Sequence, residues 1–146
     1  VPPDDLAVTV GFVPRELQQA VREQRAFFFH AMYPDGHAAE VDPRELRGRY
    51  LVPYCDHGPF GWYAEVISCR LGRRETVAEL IGKDAMAARD AGGREPARRP
   101  THYYVLRLGA VYDGLPVEPE RWRGLITARG QRGAPFAATW GELWAG

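Results

Sequence analysis

The sequence predicts an α+β domain: a curved, mainly antiparallel sheet of five or six strands, or a partial barrel, with two main helices packed on it. Three observations carry this expectation. Alternating β-branched and aromatic runs recur along the chain, most clearly at residues 6–12, 62–71 and 101–112. Residues 14–24 and 77–90 instead repeat their apolar positions at helical spacing. The two kinds of segment do not alternate strictly, which argues against a doubly wound parallel sheet.

The elements follow in order. Residues 6–12 (LAVTVGF) alternate as a strand, and Pro14 then stands where a first helical residue would. Leu17, Ala20, Val21 and Gln24 make 14–24 a short amphipathic helix. The aromatic run at 25–32 is a buried strand, closed by a Tyr33-Pro34-Asp35-Gly36 turn. Asp42, Pro43 and Glu45 read as a short helix start. Residues 49–55 form a strand that Pro53 confines to an edge or a bulge. The turn at His57-Gly58-Pro59-Phe60-Gly61 then makes a hairpin with the long strand 62–71. Thr76 and Glu79 have capping-box spacing, so helix 77–90 is expected to start there. The stretch 92–100 is an Arg-rich surface loop and 101–112 a confident strand. A single helical turn is expected at 118–122, a strand at 124–128 and a flexible loop at 129–133. Thr139 and Glu142 repeat the capping-box pattern, with Trp140, Leu143 and Trp144 on one face of a last helix.

The 146 residues are 45% hydrophobic and 12% aromatic, too apolar for a disordered chain and the right size for one domain spanning 1–146. A start at Val1 leads us to expect a processed protein or a domain excised from a longer one. No apolar run nears the ~18 residues of a membrane span, and no signal or transit peptide is visible, so a cytoplasmic location is expected. Cys55 and Cys69 could face each other across the hairpin, but reduced core thiols are the simpler expectation.

Net charge is zero, yet unevenly spread. Residues 1–43 carry seven acids against three Arg, 44–74 three acids against six Arg, and 94–132 four acids against eight Arg. All 19 basic residues but Lys83 are arginines. A GC-rich genome would produce that bias without selection for function. A neutral chain with this patterning can still present a cationic face to a polyanion.

Catalytic patterns are mostly excluded. Gly82-Lys83-Asp84 lacks the upstream glycine and following hydroxyl of a phosphate loop. Cys55-Asp56-His57 is too tight for a zinc site, so neither metal nor cofactor is expected. A metal-dependent nuclease pattern built on Asp56 and Glu65 would want Lys where Ile67 stands. Cys55 and His57 could form a thiol–imidazole pair, but read more simply as a core thiol beside a turn histidine.

Rings and guanidinium groups remain. Glu65 lies, by the period of two, among Tyr63, Ile67, Cys69 and Leu71, and needs a partner such as Arg49 or Arg107. The expected function is a nucleic-acid-binding module without catalytic residues, its partner DNA or RNA, that reads a flipped or modified base. Its binding residues would be Trp62, Tyr63, Glu65, Tyr50 and Tyr54 in an aromatic pocket, with Arg70, Arg73, Arg74, Arg129 and Arg132 on loops. Two other readings stand beside it: a small enzyme or small-molecule binder with Glu65 and His57 in its pocket, and a protein-docking domain that uses the C-terminal Trp helix.

Overall fold

The computed structural model describes residues 6–32, 48–55, 58–83, 101–114, 119–129 and 135–143. In chain order the elements are β1 (Ala7–Phe12), a 3-10 turn (Arg15–Leu17), α1 (Gln18–Gln24), β2 (Ala26–Met32), β3 (Tyr50–Cys55), β4 (Gly58–Pro59) and β5 (Trp62–Arg73). They continue with α2 (Arg74–Ile81), β6 (His102–Asp113), α3 (Pro119–Arg129), β7 (Phe136–Thr139) and α4 (Trp140–Leu143). One mixed sheet runs in the order β2-β6-β5-β3-β1-β7, with β4 paired to β3. Among the described residues only β1 and β3 pair in parallel; the other pairs are antiparallel. The sheet curls into a half-barrel, as the α+β reading required. A Cβ built on Gly11 of β1 would touch the Phe27 ring of β2, although three strands separate β1 from β2 in the sheet order.

Two apolar clusters hold the curl. Leu51, Trp62, Ala64, Phe27, Leu106 and Leu108 belong to one, where Leu17, Val21, Val77 and Ile81 of the first helical segments join them. Val8, Val10, Val52 and Tyr54 belong to the other, with Trp122 and Leu125 of α3 and Trp140 and Leu143 of α4. Adjacent residues Leu51 and Val52 fall in different clusters, so the two cores lie on opposite faces of β3. Helices therefore serve both cores, α1 and α2 the first, α3 and α4 the second.

Several boundaries differ from expectation, each for a local reason. β5 stays paired up to Arg73, opposite His102, and the Arg74 N–H donates to the Thr101 carbonyl at 3.0 Å. The helix α2 therefore starts at Arg74 with no side-chain cap, and Thr76 lies inside its first turn. Gly82, at φ 100°, ends it; residues 84–90 of the expected helix lie outside the described residues. Residues 124–128 are helical, not a strand: Trp122, Leu125 and Ile126 stand at i, i+3 and i+4 and dock together on the second cluster. A short apolar run cannot by itself distinguish these outcomes. The turn at 33–36 and the helix start at Asp42 lie outside the described residues.

Pro53 sits in an interior strand, where an edge or a bulge was expected. Its carbonyl accepts from Phe60 N–H, so its nitrogen faces the same side, beyond the two β3–β5 pairs at Tyr50 and Leu51. The ladder bond that Pro53 cannot donate is therefore the one toward Phe60, beside the short β4, while its pairing with β1 on the other side is untouched. One half of the second capping box forms: Thr139 N–H donates to Glu142 Oε1 at 3.0 Å, and the Thr139 hydroxyl donates to the same oxygen at 3.2 Å. It turns Trp140 and Leu143, 1% and 0% exposed, into the second core. The docking reading for the C-terminal helix loses both side chains to the protein's own interior, while Trp144 lies outside the described residues.

The cysteines split. Cys55 is a buried free thiol, but Cys69 is free and exposed, not a core residue as expected. A thiol-reactive dye should therefore label Cys69 at once and Cys55 only on unfolding. A reductant should leave the melting temperature unchanged; a drop of many degrees would instead reveal a disulfide.

Candidate nucleic-acid interface

The antiparallel β5–β6 pair carries the site, and its irregularities decide the site's composition. From Ala64 to Val66 on β5 the partner strand advances from Val111 to Leu108, one residue too many. From Val66 to Ser68 it advances only from Leu108 to Arg107, one too few. These two bulges cancel in register but break the alternation of faces on both strands. Glu65 and Ile67 share a face with Gly109, since a Cβ at Gly109 would meet them at 3.4 and 3.2 Å. Arg107 lies two residues from Gly109 on the same face, and Ser68 and Arg70 follow it across the pair. The grouping of Glu65 with Cys69 and Leu71 is thereby corrected.

One face of the strand pair therefore presents Tyr63, Tyr112, Glu65, Ile67, Arg107 and Arg70. Tyr63 and Tyr112 stack at 5.1 Å with 25° between their planes, and Tyr50 of β3 meets Tyr63 edge-on at 5.4 Å. Trp140 supports Tyr63 from below at 4.9 Å. Burial, together with neighbouring Tyr50 and Tyr112, pushes the Tyr63 hydroxyl above its ordinary pKa. Tyr112 remains 41% and Ile67 69% exposed. From Tyr63 to Arg70 the strip extends about 23 Å at ~3.3 Å per residue.

Charge along the strip is lopsided. Residues 66–73 and 102–108 contain no Asp or Glu, whereas Arg70, Arg73 and Arg107 are exposed. At the tyrosine end, Asp113 takes two hydrogen bonds from Arg22, at 2.8 and 2.9 Å, which hold its carboxyl below the usual range. Half-buried Glu65 makes no hydrogen bond or ion pair among the described residues, and neither Arg49 nor Arg107 pairs with it.

Other expected binders lie elsewhere. Trp62 is 2% exposed, on the opposite face, with the Arg22 guanidinium 5.6 Å from its ring centre. Tyr54, 4% exposed, packs edge-on against Trp122 and Phe12. Neither ring is open to a base. Arg73 pairs across to His102 at the far end of the strand pair, and Arg74 donates to the Tyr103 hydroxyl at 3.1 Å. Arg129 is committed to Glu142 at 2.7 Å and to the Ala137 carbonyl at 3.2 Å, so it braces α3 against β7 and α4. Arg132 and His57 lie outside the described residues. An apolar cavity among the described residues, about 20 Å³ beside Phe12, Leu17 and Phe27, holds at most a water. Arg107 and Tyr112 are the members that sequence reasoning left out of the site; the β5–β6 register, opposite Ser68 and Tyr63, is what reveals them.

The bracing pair has a pH signature. Burial raises the Glu142 carboxyl, but the Thr139 N–H and the Arg129 guanidinium outweigh it and hold its pKa below the ordinary value. A depressed carboxylate stabilises the fold above its unfolded pKa and loses that contribution as pH falls through its folded pKa. Glu142→Gln should flatten the loss of stability on acidification, read by denaturation at neutral and acidic pH. An unchanged pH dependence would refute the role.

Compared with family models, curated proteins and solved structures, the chain has no match. No helix among the described residues is long and apolar enough to cross a membrane.

Proposed function

We propose that this domain is a nucleic-acid-binding module that works through the tyrosine–arginine strip of the antiparallel β5–β6 pair. The observation that carries the reading is the paired bulge, which brings Arg70 and Arg107 onto the face of Tyr63 and Tyr112. Guanidinium groups neutralise and hydrogen-bond phosphates, and exposed rings stack on unpaired bases. The strip offers both in a line about 23 Å long, the span of several nucleotides of an extended strand. A cytoplasmic location is part of the same proposal.

The test is a fluorescence-anisotropy titration with labelled single- and double-stranded DNA and RNA at two salt concentrations. Arg70→Ala and Arg107→Ala should each weaken binding and reduce the salt slope, by about 0.7 for each lost contact on single strands. Both side chains are exposed, so the melting temperature should hold. Absence of salt-dependent binding to every probe at micromolar protein would overturn the proposal in favour of a small-molecule ligand.

A further inference from the structure

We infer that Glu65 selects guanine in an unpaired strand laid along this strand pair, an inference that rests on the nucleic-acid reading above. Three features of the strip lead to it. Glu65 is directly opposite Tyr50 in register and two residues from Tyr63, so it borders the ring cluster. Tyr112 already stacks one side of its ring on Tyr63 and is 41% exposed, so a base added to the stack would extend it. The diagonal spacing across a strand pair, about 7–8 Å, brings the edge of such a base within reach of the Glu65 carboxylate.

The chemistry of a lone carboxylate then chooses the base. Two carboxylate oxygens accept hydrogen bonds and donate none. Guanine presents two adjacent donors, N1–H and the exocyclic amine, on its Watson–Crick edge, and can bond both oxygens at once. Cytosine and adenine offer a single amine beside an acceptor nitrogen, which a carboxylate repels. Uracil and thymine offer one imide N–H flanked by carbonyl oxygens. That edge is free only in an unpaired strand, and a stacking platform likewise takes unpaired bases. Glu65 would otherwise repel phosphate in the middle of a cationic strip, so its negative charge serves the interface only by meeting base donors.

The experiment compares a short, unstructured pyrimidine strand with the same strand carrying one central guanine, in ribo and deoxyribo forms. A third probe replaces that guanine by inosine, which keeps N1–H and lacks the amine. The wild-type domain should bind the guanine strand about tenfold more tightly than the pyrimidine strand, with inosine between them. Glu65→Gln, which keeps one acceptor and adds a donor, should abolish the preference while leaving affinity for the pyrimidine strand equal or higher, because a repulsive charge is gone. A purely structural Glu65 would instead lower the melting temperature and weaken all probes alike. Equal, salt-dependent binding of all three probes would overturn guanine selection and leave the nucleic-acid reading standing. No binding to any probe would remove both. The wild-type comparison of guanine with inosine needs no variant, so equal affinity for the two overturns the proposal even should Glu65→Gln fail to fold.

Discussion

Trp62→Ala is expected to destabilise the domain by about 3–5 kcal/mol, the range for truncating a buried large aromatic. The ring is 2% exposed, in the same cluster as Leu51, Ala64, Leu106 and Leu108, and carries the Arg22 guanidinium above it. At this chain length the loss corresponds to a fall in melting temperature of about 10 °C or more. Trp62→Phe should retain most of the stability. It keeps a ring in place, and the indole N–H it removes has no hydrogen-bond partner. Thermal and denaturant unfolding of the two variants check this, and an alanine variant within ~3 °C of wild type would show that the ring is not a core element. The same pair separates stability from binding: a folded Trp62→Phe domain should bind nucleic acid as the wild type does, because the ring faces away from the strip.

The second large effect concerns a glycine. A Cβ at Gly48 would run into the backbone of β1, at Thr9 N and the Val8 carbonyl carbon, just where the Arg49 N–H donates to the Ala7 carbonyl at 3.0 Å. Backbone cannot rotate away as a side-chain tip can. Gly48→Ala must therefore part the parallel β1–β3 pair on which the second core is built, at a cost of about 3 kcal/mol or more. Gly124, inside α3 with nothing within 4 Å of its Cβ position, supplies the contrast. Gly124→Ala should stabilise by roughly 0.5–1 kcal/mol, since alanine loses less backbone freedom in a helix. Denaturant titration of both variants tests the sign as well as the size, and two alanines of equal effect would refute the argument.

The interface was only half legible in the chain. Tyr63, Glu65, Tyr50 and Arg70 can be picked out from their types and their place in strands. Trp62 and Tyr54 look equivalent to them in sequence, because a ring's chemistry is the same whether it faces solvent or core. Arg129 reads as a free loop cation until α3 is seen to be a helix that brings its guanidinium to Glu142. Arg107 and Tyr112 join the site through β5–β6 register, and register comes from pairing between residues more than 35 positions apart.

What the sequence determined by itself is the identity of most elements. Strands at β1, β2, β3, β5 and β6 follow from alternation and β-branching, α1 and α2 from helical spacing, and the start of α4 from Thr139 and Glu142. These signals are local, set by which φ/ψ basin and which face each residue prefers. Tertiary structure decided the rest. It turned residues 124–128 into a helix because Trp122 and Leu125 had a core to fill, and it placed Pro53 inside the sheet with its nitrogen turned toward Phe60 beside the short β4, which spares the pairing with β1. It also inserted two cancelling bulges into β5 and β6, which moved Arg70 to the face of the tyrosines. A period-two pattern cannot foresee that last step: one extra residue on each strand reverses every face beyond it, and only the packing of the partner strand fixes where the extra residue goes.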